Sequence, residues 1–94
     1  MAKMICLWVI TQEIMKMTMS KVTINKTNYT LVNEGACFVD SRGDSFKVHF
    51  GESVPSATTD LYFVINADDP LNYSGTSNVY AIAYEDSLDL YVEA

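Results

Sequence analysis

The chain has 94 residues, of which 49% are hydrophobic and 12% aromatic. This length allows one domain with one core, and this apolar content is too high for a disordered chain. Twelve acidic residues against six basic ones give a net charge of -6, which opposes contact with phosphate backbones, so we predict no nucleic-acid partner.

The N-terminus differs in composition from the rest of the chain. The first nineteen residues contain all five methionines and the only tryptophan. Residues 4–10 are apolar on both faces, too short for a membrane span of about 20 residues, and no signal-peptidase site follows them. We therefore predict cytoplasmic synthesis, no membrane partner, and an N-terminal extension or arm at 1–18 that docks on another subunit. Its interface candidates are Ile5, Leu7, Trp8 and Val9.

Residues 19–94 are predicted to form a single all-β domain. Two β-branched runs, 21–24 and 29–32, flank a polar turn and predict a first hairpin. Glycines then recur every eight residues, which is typical of a meander of short strands. These glycines are Gly35, Gly43 and Gly51.

The clearest strand signal is a period-two alternation in which Phe46, Val48 and Phe50 would face a core, with Lys47 and His49 opposite. The chain places no nucleophile and no orienting partner for this histidine by spacing, so we interpret it as a solvent-facing or hydrogen-bonded strand residue. The sequence also lacks a phosphate-binding glycine loop and a metal-spaced His/Cys cluster. We predict a non-enzymatic protein with no catalytic residues, no cofactor and no metal.

Residues 61–65 are apolar on both faces. Such a run is expected between two layers or at a subunit contact, and we predict it to be the most buried segment of the domain. The preceding loop, 52–60, is long enough to cross from one sheet to another. The interface candidates in the apolar run are Leu61, Tyr62, Phe63 and Ile65.

The C-terminal strands, 78–84 and 88–92, are predicted to pair as a closing hairpin, and the alternation in the second leaves one of its faces in solvent. Residues 71–73 are predicted to be a short edge strand. The predicted fold is therefore a small antiparallel β-sandwich or barrel of roughly seven or eight short strands with an N-terminal arm. Its predicted core residues are Val22, Ile24, Leu31, Phe38, Phe46, Val48, Phe50, Phe63, Val79 and Leu90.

Several short motifs are interpreted as ordinary structure. Residues 42–45 read RGDS, which matches the integrin-binding tetrapeptide, but Gly-Asp also suits a tight turn. The two cysteines, Cys6 and Cys37, are predicted to be buried, reduced thiols. Asn-x-Ser/Thr sequons are interpreted as unmodified turn asparagines. They begin at Asn25, Asn28 and Asn72.

The segments YTLVN at 29–33, VHFG at 48–51 with Pro55 soon after, and NVYA at 78–81, with a terminal VEA, resemble the short β-rich virion proteins of tailed bacteriophages. The resemblance excludes the arm and transfers no residue role. It implies a structural protein of the virion: a capsid decoration or cement protein, or a small head, neck or tail accessory subunit. It implies as partners further copies of the chain, forming a homo-oligomer, and other virion proteins such as the major capsid protein.

An alternative reading is a β-sandwich recognition module that binds a host glycan or surface protein. Tyrosine is the residue that would carry such binding, because its ring stacks on a ligand while its hydroxyl stays hydrogen-bonded. The candidate stacking platform is Tyr73, Tyr80, Tyr84 and Tyr91. An obligate oligomer would favour the virion subunit, and a monomer that binds glycans would favour this alternative.

Overall fold

The structure is a computed structural model that describes residues 18–94. Eight β-strands and no helix occur in this range, so the predicted all-β class is confirmed. The absence of helices means that the described part of the chain holds no helix able to cross a membrane. The strands are β1 (Met19–Ile24), β2 (Thr30–Glu34), β3 (Cys37–Asp40), β4 (Phe46–Gly51), β5 (Phe63–Ile65), β6 (Leu71–Tyr73), β7 (Asn78–Ala83) and β8 (Leu88–Glu93).

The strands form two four-stranded antiparallel sheets. The first sheet has the order β1-β8-β3-β6 and the second sheet has the order β2-β7-β4-β5. One core cluster draws side chains from both, including Ile24 and Leu90 from the first sheet and Phe46 and Val79 from the second. The inner faces of the two sheets therefore pack on each other as a β-sandwich. The short strand β6 lies at a sheet edge, as predicted.

The connections between strands differ from the predicted hairpins. Only β4 and β5 are consecutive strands that pair with each other, and every other connection carries the chain from one sheet to the other. The predicted first hairpin is wrong, because β1 pairs with β8 and β2 pairs with β7. The predicted closing hairpin and glycine-spaced meander are wrong for the same reason. The predicted sheet crossing at 52–60 is also wrong, since this loop joins the two strands that stay in one sheet.

The turn after β1 shows how the chain changes sheets. The Asn25 side-chain Oδ1 accepts hydrogen bonds from the backbone N–H groups of Thr27 and Asn28, at 2.9 and 3.0 Å. This asparagine turn reverses the chain without pairing the flanking strands. The Asn25 carbonyl then accepts a hydrogen bond of 2.8 Å from the N–H of Ala83 in the second sheet. The polar turn was predicted correctly, but turn residues alone do not say which sheet the next strand joins.

The predicted core is confirmed where the strands alternate clearly and is wrong where they do not. Ile24, Phe46, Val48, Val79 and Leu90 are buried in the main core cluster, and Val22 and Phe50 are partly buried against it. The predicted core residues that lie exposed are Leu31, Phe38 and Phe63.

Local register explains the exposed residues. In β3, Cys37 and Val39 point inward and Phe38 points outward. In β2, a register shift between Leu31 and Asn33 leaves Val32 as the buried residue. A strand that is apolar on both faces does not specify which face is buried, and a shift of one residue exchanges the two.

The prediction that residues 61–65 form the most buried segment is wrong. Leu61 and Phe63 are 70% and 66% exposed. Strand β5 is three residues long and lies at the edge of the second sheet, so among the described strands it has a neighbour on one side only. Ile65 alone packs against the core, and only in part.

Cys37 is a buried free thiol in the core, as predicted, whereas Cys6 lies outside the described residues. Burial raises the pKa of the Cys37 thiol above its usual value of 9.0. Because the unfolded chain loses this proton first, it binds fewer protons than the native state at alkaline pH, and stability falls as the pH rises above about 9.

In a Cys6→Ser background, we expect the free energy of unfolding to decline as the pH rises above about 9. A further Cys37→Ala change should make that decline shallower, because the Cys37 thiol then no longer titrates. Urea unfolding at several pH values measures both slopes. Equal slopes with and without Cys37 would contradict the assignment.

Candidate interaction surface

The most prominent exposed apolar surface of residues 18–94 lies at β5, and we call Leu61, Phe63 and Val64 the β5 edge. All three side chains are exposed. On one side β5 pairs with β4, through Val48 with Phe63 and Lys47 with Val64. On its other side no strand of the described range pairs with it. The β5 edge thus combines exposed apolar side chains with an open row of backbone hydrogen-bonding groups.

Phe63 is positioned by a short stack of rings at the side of the sandwich where the edge strands β5 and β6 lie, which we call its open side. Its ring centroid lies 6.1 Å from that of Phe50, and the Phe50 ring stacks on Tyr73 at 4.4 Å. The Tyr73 hydroxyl accepts a hydrogen bond of 3.0 Å from the N–H of Ser77. Gly75 makes room for that hydroxyl, since an added Cβ there would overlap it. The exposed Phe63 ring therefore packs on Phe50, whose own ring is held in place by Tyr73.

The structure places the predicted interface residues in different environments. Phe63 and Leu61 are accessible at the β5 edge, Tyr62 is exposed beside them, and Ile65 is partly buried against the core. The remaining candidates, which lie outside the described residues, are Ile5, Leu7, Trp8 and Val9.

A second surface covers the outer face of the second sheet, and we call Tyr29, Tyr62, Tyr80 and Tyr84 the tyrosine face. Tyr29 and Tyr80 are buried there together with Ile82, whereas Tyr62 and Tyr84 are exposed. The sequence hid this cluster, because its members come from a strand end, a loop and β7. Only the alternation in β7 gave a signal, since it points residues 80, 82 and 84 the same way.

Lys47 lies between two rings of the tyrosine face. Its ammonium nitrogen is 4.5 Å from the Tyr62 ring centroid and 5.3 Å from the Tyr84 ring centroid. An ammonium at this distance from an aromatic ring is attracted by the ring's negative face. The lysine therefore fixes two exposed rings that come from different elements.

His49 borders the tyrosine face, on the outer side of β4 as predicted. Its Nδ1 lies 2.6 Å from the carbonyl oxygen of Leu61, which can only accept, so Nδ1 carries the proton. In the neutral ring, Nε2 then keeps a free lone pair. The ring meets Tyr29 edge-on, with centroids 6.1 Å apart. The histidine thus ties the loop before β5 to β4 and offers one acceptor.

The Tyr29 hydroxyl of this face ionises less readily than a free phenol. Burial raises its pKa, and the electrostatic influence of Tyr62 and Tyr84 raises it further. The Tyr29 hydroxyl therefore keeps its proton at neutral pH.

The tyrosines of the predicted stacking platform do not share one surface. Tyr80 and Tyr84 belong to the tyrosine face, but Tyr73 points inward at the open side of the sandwich. Tyr91 lies on the outer face of the first sheet, where the Arg42 guanidinium packs 3.6 Å from its ring centroid. Arg42, the arginine of the RGDS turn, is therefore engaged by Tyr91. A hydrogen bond of 3.1 Å from the Asp44 N–H to Ser41 Oγ closes this turn.

The fold and its surfaces define the class of protein: a small β-sandwich with an open apolar edge strand and a tyrosine-rich outer face. No protein-family model matches the chain, and no curated protein or solved structure matches it either. Within residues 18–94, no three His, Cys, Asp or Glu side chains are grouped as metal ligands.

Proposed function

We propose that this protein is a non-enzymatic structural subunit of a tailed-phage virion, a capsid decoration or small head-tail accessory protein. The observation that carries the proposal is the β5 edge. It leaves Leu61 and Phe63 exposed next to backbone groups that pair with no strand of residues 18–94, an arrangement that a strand from another chain would stabilise. Assembly into a particle with many identical contacts supplies such a cover.

The charge distribution supports contact between copies at this place. The chain carries a net charge of -6, so two copies repel each other at most approaches. Residues 61–67 contain no charged side chain, which makes the β5 edge a place of low repulsion. Antiparallel pairing of two β5 strands across a twofold axis would bury Phe63 and Val64 of both copies in an isologous contact. The partners are then other copies of the chain and, in the virion, proteins such as the major capsid protein.

Glutamate substitution at the β5 edge tests the assembly. We expect Phe63→Glu to shift the full chain toward the monomer, because it places like charges opposite each other at the contact. Val54→Glu is the matched control, since Val54 is also an exposed apolar residue but lies in the loop before β5. Light scattering after size exclusion measures the masses, and circular dichroism confirms that both variants fold.

Two results would contradict the proposal. One is a monomeric wild-type chain at all accessible concentrations, and the other is an equal response to Phe63→Glu and Val54→Glu. The virion assignment has its own test, which is the presence of peptides from this chain in density-purified particles of the phage that encodes it. If the protein self-associates but is absent from particles, the proposed interface stands and the virion assignment is wrong.

A further inference from the structure

The tyrosine face contains a lysine whose ammonium group contacts aromatic rings and no carboxylate of the described residues. Lys47 is half-buried, and its ammonium contacts the rings of Tyr62 and Tyr84. No Asp or Glu of residues 18–94 lies within ion-pair distance of it, whereas Lys26 pairs with Asp86 at 2.9 Å. A partly desolvated ammonium without a counterion has an electrostatic preference for an anion that the described fold does not satisfy.

The rings that contact this ammonium also carry hydrogen-bond donors. The hydroxyl groups of Tyr62 and Tyr84 belong to the two rings on which Lys47 packs. Neither makes a hydrogen bond to another residue in the described range, unlike the Tyr73 and Tyr80 hydroxyls. A carboxylate accepts several hydrogen bonds at once and gains most from charged donors. The site thus presents one ammonium and a set of phenol donors at one place.

The remaining groups indicate what such a carboxylate should be attached to. The Tyr84 ring is exposed and offers a flat apolar face, on which the C–H groups of a sugar ring can stack. His49 Nε2 is an acceptor for a hydroxyl group. The net charge of -6 disfavours ligands with many negative charges, so a single carboxylate is preferred over a polyphosphate. These groups together fit a ligand with an amphipathic ring, several hydroxyl groups and one carboxylate.

We propose that the tyrosine face binds an acidic saccharide, a pyranose that carries one carboxylate. The carboxylate contacts the Lys47 ammonium and the phenol hydroxyls, and the pyranose ring stacks on Tyr84. This activity differs from assembly at the β5 edge, because it uses Lys47 and tyrosine rings on the outer face of the second sheet, whereas Phe63 lies opposite the inward-facing Val48. A protein on a particle surface could then hold a glycan while its edge strand remains in the assembly.

Titration of the isotope-labelled full chain, followed by NMR, tests the proposal. We expect saturable shifts at Lys47, Tyr62 and Tyr84 with sialyllactose and much weaker ones with lactose or acetate. Lys47→Met keeps the length of the side chain but removes the charge, and we expect it to weaken binding by at least about tenfold. Lys21→Met is the matched control, because Lys21 is an exposed lysine on the first sheet and should leave binding unchanged.

Two variants at one position separate ring stacking from hydrogen bonding. Tyr84→Phe keeps the ring and should weaken binding less than Tyr84→Ala, which removes it. Equal responses to sialyllactose and lactose, an unchanged Lys47→Met, or no shift with any sugar would each overturn the proposal. If acetate binds as tightly as sialyllactose, the site recognises only a carboxylate, and the proposal of a saccharide ligand is wrong. The Phe63→Glu variant should bind sialyllactose normally, which distinguishes failure here from failure of the proposed assembly.

Discussion

Phe46→Ala is expected to lower the free energy of unfolding by about 3–5 kcal/mol. Phe46 is 1% exposed and is the largest of the fully buried side chains in the described range. It lies on β4, which pairs with both β7 and β5, so the surrounding backbone is held on both sides. A cavity at such a position collapses poorly, and the loss then includes both the transfer of the ring and the empty volume. Urea unfolding followed by circular dichroism measures the change.

Other phenylalanines provide graded controls for this experiment. Phe50 follows the same alternation but is only partly buried against Tyr73, so Phe50→Ala should cost roughly 1–3 kcal/mol. Phe63 is exposed, and Phe63→Ala should change stability by about 0.5 kcal/mol or less. The expected order is Phe46, Phe50, Phe63. A Phe46→Ala variant no less stable than Phe63→Ala would show that the inner face of β4 has been misassigned.

The second large effect is expected in β3, where a lysine at one position should be far more harmful than at its neighbour. Val39 is 0% exposed and Phe38 is 39% exposed. Val39→Lys buries an ammonium without a partner and should cost about 4 kcal/mol or more, a large part of the stability of a domain of this size. Phe38→Lys places the same side chain outside, opposite Glu93, and should change stability by about 1 kcal/mol or less.

This pair is a direct test of the strand register. Both substitutions introduce the same residue at adjacent positions of one strand, so the comparison tests which face of β3 is buried. Thermal unfolding followed by circular dichroism suffices, because the expected difference is several kcal/mol. A reversed order, with Phe38→Lys unfolded and Val39→Lys folded, would mean that β3 presents its other face to the core.

Strands with strict alternation could be predicted in detail from the sequence. In β4 and β8, polar residues occupy every second position, so only one face can be buried without burying charge. The buried residues Val48 and Leu90 follow directly from that pattern. In β3 and β5, both faces are apolar, and the choice between them depends on neighbouring strands that are distant in the chain.

The candidate surfaces followed the same division. Leu61 and Phe63 of the β5 edge were predicted from their composition to lie at an interface, but their exposure could not be foreseen, because the run would suit a central strand equally well. Only Tyr80 and Tyr84 of the tyrosine face were predicted to share a surface. Its tyrosines are far apart in sequence, and the platform predicted from residue type alone joined Tyr73 and Tyr91, which the sandwich places on different sides.

The sequence by itself determined the all-β class, the positions of most turns and the inner face of every alternating strand, because these depend on residues within a few positions of one another. The tertiary structure decided the pairing of the strands. An asparagine or glycine turn reverses the chain with equal ease into a hairpin or across to the other sheet, and the choice is made by the burial of both inner faces at once. That choice put β5 at an edge, where residues 61–64 are exposed, and brought Lys47 between two tyrosines from distant parts of the chain.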